Sequence, residues 1–260
     1  MSKTAFQTNS CKPALLKLVP AIASKLKFLI LRYIYSFNPI LGAWFLLTNR
    51  HYVIDAPHGK NPSLRYHVRG VFPASYCTRF FWKNYEIEDF HFAEKYIAAD
   101  DSVLELGACI GGLSCYTNRI LSVRSAHAVV EANPKLIDAL LRNRDENNCE
   151  FHVFNGVVSS DAQPDTDFYT YDLPVTGSRI DKRTLPTRPR RRLSKSATRL
   201  KVPVLSIDEI RKKCAVDFSV LQMDIEGGEL DFLRENSDLV GKIRLLIFEF
   251  HRGYFSQHDC

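Results

Sequence analysis

From residue 102 onward, short apolar runs alternate with stretches whose apolar residues recur at helical spacing. "VLEL" (103–106) is the first run, followed by glycines and a helical pattern through Leu121. "AHAVVEA" is the second, and Pro134 then suits the first turn of a helix reaching about Asn147. "EFHVFNGVV" reads as a third strand, and "DFYTYDL" and "VPVLSI" are further strand-like pieces. "SIDEIRKKC" predicts a short helix, with Ser206 as N-cap and Glu209 three residues on, the spacing of a capping box. "VLQMDI", "GGELDFLREN" and "RLLIFEF" continue as strand, helix, strand. Strands alternating with helices predict a mostly parallel sheet covered on both faces, an α/β doubly wound architecture.

The first 100 residues follow another pattern. "HYVID" and "SLRYHVRGVF" are β-like and flank the turn-rich "APHGKNP", which predicts a hairpin. Glu86 to Ala98 has the spacing of an amphipathic helix. Ile22 to Phe37 is helix-like, and Pro39 should break it. Leu26 to Leu47 approaches the apolarity of a membrane span, but Lys27, Arg32, Asn38 and Pro39 interrupt it. With its flanking lysines, the stretch 14–47 suits either peripheral contact with an anionic membrane or a cap packed on the domain. No apolar core followed by a small-residue cleavage site marks a signal peptide. The expected organisation is a basic, apolar helical segment over 1–50, a hairpin and linker over 51–85, and the main domain over 86–260.

Charge and cysteines sharpen this picture. Residues 1–54 carry seven Lys/Arg and no acid; residues 179–201 carry ten Lys/Arg and only Asp181. Because the whole chain is only +6, the remainder is net acidic. The two basic segments would each suit an anionic partner. The seven cysteines are odd in number and form no CxxC pair, so reduced thiols, a cytoplasmic setting and no zinc motif are expected.

In a parallel sheet, ligands bind beyond the carboxyl ends of the strands. The first strand ends at "LELGACIGG", where Gly107 permits a tight turn and Gly111 and Gly112 open a helix with free N–H groups. It is neither GxGxxG nor a P-loop. The second strand ends at Glu131, which could accept hydrogen bonds from two ribose hydroxyls or cap the next helix. Together the two signals indicate a cofactor with a nucleoside and no phosphate cradle. "LQMDIEGGEL" (221–230) brings Asp224 and Glu226 to the same edge, whereas Glu229 suits the first turn of the following helix. "FEFH" then places Glu249 and His251 on one face of the last strand. His251 would serve as a general base or be a surface histidine.

"VLELGACIGG", "VVEANP", "LQMDIEGGEL" and "LIFEFH", in this order, resemble the FkbM family of S-adenosylmethionine-dependent methyltransferases. The resemblance covers roughly Glu86 to His251. It implies a Rossmann-like class I methyltransferase fold with an N-terminal helical and hairpin extension. The sequence stops nine residues after His251, which leaves the last two strands of that fold unaccounted for and "RLLIFEF" as an apolar edge.

The resemblance also implies roles. Gly107 and Ala108 would line the methionine end of S-adenosylmethionine, with Glu105 behind them and Gly111 as a further cofactor-binding candidate. Glu131 would hold the ribose, with Ala132 and Asn133 beside it as further cofactor-binding candidates, and Asn155, Gly156 and Val157 would lie beside the adenine. Asp224 would approach the cofactor's amino group or the reacting methyl, and Glu226 would face the acceptor. Asp224, Glu226, Glu249 and His251 are the catalytic candidates. A divalent metal on Asp224, Glu226 or Glu249 is an alternative way to acidify a hydroxyl, but none is expected.

The family's acceptors are often hydroxyl oxygens of sugars or polyketides, and the basic segment 179–201 would favour an anionic glycan or glycolipid. Its cations are not interleaved with aromatic residues, which argues against nucleic acid. Two positions depart from the family pattern: Cys109 replaces an asparagine and Gln222 a lysine. The rival readings are a catalytically silent cofactor-fold protein recruited through its basic segments and, lower, an NAD-dependent oxidoreductase.

Overall fold

The computed structural model of the protein describes residues 38–49, 51–60, 62–83, 85–160, 163–170 and 198–249. The predicted helix over Ile22 to Phe37, most of the basic segment and His251 lie outside them.

Pro39 opens a helix, α1 (Pro39–Thr48), because its missing N–H falls where no intrahelical bond is needed. The Asn38 side chain caps it, accepting from the N–H groups of Ile40 and Leu41. The predicted hairpin is present as β1 (Tyr52–Ile54) and β2 (Leu64–Tyr66), antiparallel with Tyr52 opposite Tyr66. Helices α2 (Ala74–Phe81) and α3 (Ile87–Tyr96) follow.

The main sheet is built from β3 (Val103–Leu106), β4 (His127–Glu131), β5 (His152–Asn155), β9 (Val220–Met223) and β10 (Leu245–Phe248). All pairings are parallel, in the order β5-β4-β3-β9-β10. The order reverses at β3, so the crevice beyond its carboxyl end is the switch point where such sheets bind ligands. Helices α4 (Gly112–Ile120) and α5 (Ile137–Glu146) connect the first three strands. Two residues, Lys135 and Leu136, separate Pro134 from α5, so the helix starts later than the proline suggests.

The stretch read as a third strand is two. At Gly156 the chain leaves the main sheet and forms β6 (Val157–Val158). That strand pairs with β8 (Thr198–Leu205), itself antiparallel to β7 (Asp165–Thr170). A side chain at Gly156 would meet the Pro203 carbonyl oxygen at 2.6 Å, so only glycine lets β8 cross here. Helix α6 (Ile207–Cys214) starts with the predicted capping box of Ser206 and Glu209. Helices α7 (Glu229–Glu235) and α8 (Ser237–Val240) lead into β10.

The period of two along the strands sorts the core. Val103, Val129 and Val220 face α4, α5 and the N-terminal extension. Leu104, Leu106, Ala128, Val130, Leu221 and Met223 face Ile207, Ile210 and Phe232 of α6 and α7. Each such buried aliphatic side chain contributes roughly 1.5–3 kcal/mol. The extension is part of the first core, since Phe45, Tyr52, Leu64, Tyr66 and Phe80 belong to the same cluster as Val103.

Candidate active site

The carboxyl edge of the sheet gathers the predicted residues. Gly107 has φ +88°, and a Cβ there would stand 1.8 Å from the Asp224 carbonyl oxygen. The glycine turn after β3 and the loop after β9 therefore touch backbone to backbone. The Asp224 N–H donates to the Leu106 carbonyl at 2.9 Å, which extends the β3–β9 ladder to the first carboxylate of "DIEGGE". Ala108 is held by its N–H to the Val130 carbonyl.

Glu131 ends β4 and is buried, at 7% exposure. Its Oε2 accepts from the Cys109 N–H at 2.7 Å and its Oε1 from the Asn133 N–H at 2.6 Å. Burial nevertheless pushes its pKa up to about 7, against the opposing pull of those N–H groups. Asn155 lies opposite Glu131 in the ladder, and its Nδ2 donates to the carbonyls of Glu131 and Ala132. The Gly156 N–H also reaches the Glu131 carbonyl. Glu131, Ala132, Asn133, Asn155, Gly156 and Val157 thus form one continuous wall beside the glycine turn.

Asp224 is exposed, and Glu226 follows in the left-handed region at φ 55°. Glu229 is fully buried, and its Oε1 accepts from the Gly227 N–H at 3.1 Å, closing the turn into α7. Glu249 follows β10, with its N–H on the Met223 carbonyl. Its charge helps raise the pKa of Asp89, after burial as the larger cause. Glu105 does not open into the cleft. Its Oε1 accepts from Ser114 Oγ at 2.8 Å and its Oε2 meets His127 Nε2 at 3.1 Å, so it braces the turn from behind.

One residue of the site escaped the sequence reading. Glu86, in the left-handed region just before α3, reaches the start of α4, where a Cβ on Gly112 would stand 2.8 Å from its Oε2. Burial pushes its pKa up to about 8, partly opposed by Tyr85, with the charges of Asp89, Asp224 and Glu105 adding to the rise. Tyr76 and Tyr85 line the same region, and burial raises both phenols. In the sequence, Glu86 is only the first acid of an amphipathic helix. Asn143 was also missed. It is buried on α5 and donates to the Ile110 carbonyl at 2.8 Å, fixing the glycine turn from the far side.

A concavity of about 430 Å³ near Arg144, Phe154 and Lys213 includes none of the glycine turn, the Glu131 tip or the Asp224 loop.

A family model described as the methyltransferase FkbM domain matches residues 105–259, more than half of the chain. The chain belongs to the FkbM methyltransferase family. No curated protein and no solved structure gives a significant match.

Within an FkbM methyltransferase, the structure shows what surrounds the two departures. Cys109 occupies a left-handed backbone position, φ 53°, which asparagine adopts more readily than most residues. Gln222 lies opposite Glu105 in the β3–β9 ladder. A lysine there would face Glu105, but in this chain His127 and Ser114 already engage that carboxylate. Gln222 instead accepts from Thr117 Oγ1 at 3.2 Å.

Proposed function

We propose that this FkbM methyltransferase uses S-adenosylmethionine and methylates a hydroxyl oxygen of an anionic carbohydrate or glycolipid-like acceptor. What carries the reading is the assembled edge: Gly107 packed on the Asp224 backbone, beside Glu131 fixed at the tip of β4. These residues fit the cofactor. A buried carboxylate at the second strand tip suits a ribose diol, and the glycine turn leaves room for close backbone approach. Asp224 places a carboxylate at the cleft, and a ligand carrying a sulfonium and an ammonium charge would draw Glu86 and Glu131, whose pKa values burial raises, toward their ionised forms.

S-adenosylmethionine supplies a methyl group already activated by its sulfonium. The chain's own residues would then align an acceptor oxygen and take its proton. Asp224 and Glu226, on the loop facing the glycine turn, are the residues assigned to that task. Glu249 stands at the neighbouring strand end, and Glu86 is a further carboxylate whose raised pKa suits a base.

The acceptor assignment draws on charge. Within the described part of the basic stretch, Arg199 pairs with Asp167, and Lys201 lies 2.9 Å from Asp165. These two cations are matched within the β7–β8 hairpin, so an anionic acceptor would be met by the remainder of 179–201.

Calorimetric titration with S-adenosylmethionine tests the cofactor. Micromolar binding to wild type, weakened at least about tenfold in Glu131→Ala, is expected. Transfer of labelled methyl to a glycan or glycolipid extract, lost in Asp224→Ala, tests the reaction. Binding without transfer to any extract would favour the silent, recruited protein over the enzyme; absence of binding by folded protein would remove the cofactor itself.

A further inference from the structure

We infer that His51, His67 and Glu146 form a binding site for a divalent transition metal of the zinc class, which clamps the N-terminal hairpin onto α5. His51 and His67 flank the β1–β2 ladder and continue its register, in which Tyr52 faces Tyr66, so the two imidazoles meet across the strands. Their Nε2 atoms are 3.2 Å apart. His51 Nε2 is 3.4 Å from Glu146 Oε2, and His67 Nε2 contacts Glu146 Oε1. All three donor groups lie within 4.8 Å of one another.

The spacing suits a metal. With zinc–ligand distances of about 2.0–2.1 Å, the edge of a tetrahedral site is about 3.3 Å. The His51–His67 and His51–Glu146 separations match that edge, while the His67–Glu146 contact is closer and would open by a small rotation of the Glu146 carboxylate as a metal enters. The donor set of two imidazoles and one carboxylate is a zinc-type set that leaves one position for water.

The geometry is also held from outside the cluster. Asn143 on the same helix as Glu146, and Asn147 at its C-cap, fasten β2 and its continuation. Asn143 Oδ1 accepts from the His67 N–H at 2.7 Å, Asn147 Oδ1 accepts from the Arg65 N–H at 2.9 Å, and Asn147 Nδ2 donates to the Arg65 carbonyl at 2.9 Å. These bonds fix His67 against the last turn of α5, where Glu146 ends the helix. Two ligands come from facing strand ends and the third from a helix 79 residues further on than His67, so no sequence spacing reveals the site. Asn143 also holds the Ile110 carbonyl in the glycine turn, which links the clamp to the scaffold of the cleft.

The full chain, prepared without a histidine tag and stripped of metal, is titrated with Co2+ and, separately, with Zn2+. One equivalent of Co2+ should give the intense visible bands of a four-coordinate site. Glu146→Gln and, independently, His51→Asn should weaken that binding at least tenfold while the far-ultraviolet circular dichroism stays that of wild type. Zn2+ should raise the melting temperature of wild type and not of the variants. Saturable binding unchanged in both variants would place the ion elsewhere and overturn the inference. Absence of saturable binding would overturn it too, leaving the cluster a histidine–carboxylate ion pair. Neither result depends on S-adenosylmethionine, so failure here is distinct from failure of the methyl-transfer reading.

Discussion

At the scale of single residues, the site is governed by how little water its carboxyl groups see. Burial, acting against neighbouring N–H donors, pushes Glu131 up to about 7; burial and nearby carboxylates push Glu86 to about 8. A carboxyl group raised in the folded state binds its proton more tightly than in the unfolded chain. Its contribution to stability is present below its ordinary range and is lost as pH rises through the folded-state value. The unliganded protein should therefore melt at a lower temperature at about pH 8.5 than at about pH 6. A cationic ligand acts in the opposite direction, because it favours the ionised carboxylates. S-adenosylmethionine binding should tighten over the same interval and release protons. Calorimetry in two buffers of different ionisation enthalpy reads that release directly, and a pH-independent affinity would show that these two groups do not face the cofactor. Cys109 differs from them. Its thiol is also pushed up, by burial first and then by the charges of Glu86 and Glu131, so it stays neutral and is a poor nucleophile.

At the scale of elements, the loop before β3 locks the central strands together. Asp101 accepts from Ser219 Oγ and from Arg244 Nε, each at 2.7 Å, and from the Ala98 N–H at 2.7 Å. Burial alone would raise its pKa, but these donors hold it below the ordinary carboxylate range. This single carboxylate joins the starts of β3, β9 and β10, the three strands whose far ends form the site. Asp101→Ala leaves several donors without a partner and should cost about 2 kcal/mol. A urea melt measures it; a change below about 0.5 kcal/mol would show that the strands are registered by their apolar packing alone.

At the scale of the whole molecule, α1 presents two faces. Gly42 and Phe45 pack towards α2, with a Cβ on Gly42 only 1.5 Å from the Ala74 carbonyl oxygen. Ile40 and Leu47 lie on the opposite side, exposed by 78% and 77%, and Trp44 beside them is 52% exposed with its ring edge-on against Phe81 of α2. No helix among the described residues is long and apolar enough to cross a membrane. The proposal for this face is peripheral contact, with the seven cations of residues 1–54 meeting anionic headgroups. The intact chain should sediment with vesicles containing anionic lipid, less so at high salt. The double substitution Ile40→Ser and Leu47→Ser should weaken this severalfold without changing cofactor affinity. Equal binding to neutral and anionic vesicles would exclude the electrostatic part of the proposal.

The local chemistry of the chain determined much of this protein. The strands at "VLEL", "AHAVVE" and "VLQM" and the capping box at Ser206 follow from short-range preference and period. So does the convergence of Gly107, Glu131 and Asp224, because strand ends in a parallel sheet share one edge. Only the tertiary structure decided that Gly156 sends the chain into a second sheet, since the reason is the approach of Pro203 from a strand more than 40 residues on. It also brought Glu86 to the cleft, because the loop before α3 reaches the start of α4 only through tertiary packing. The histidine pair with Glu146 belongs to the same class: cross-strand pairing and helix docking bring together residues that no periodicity relates.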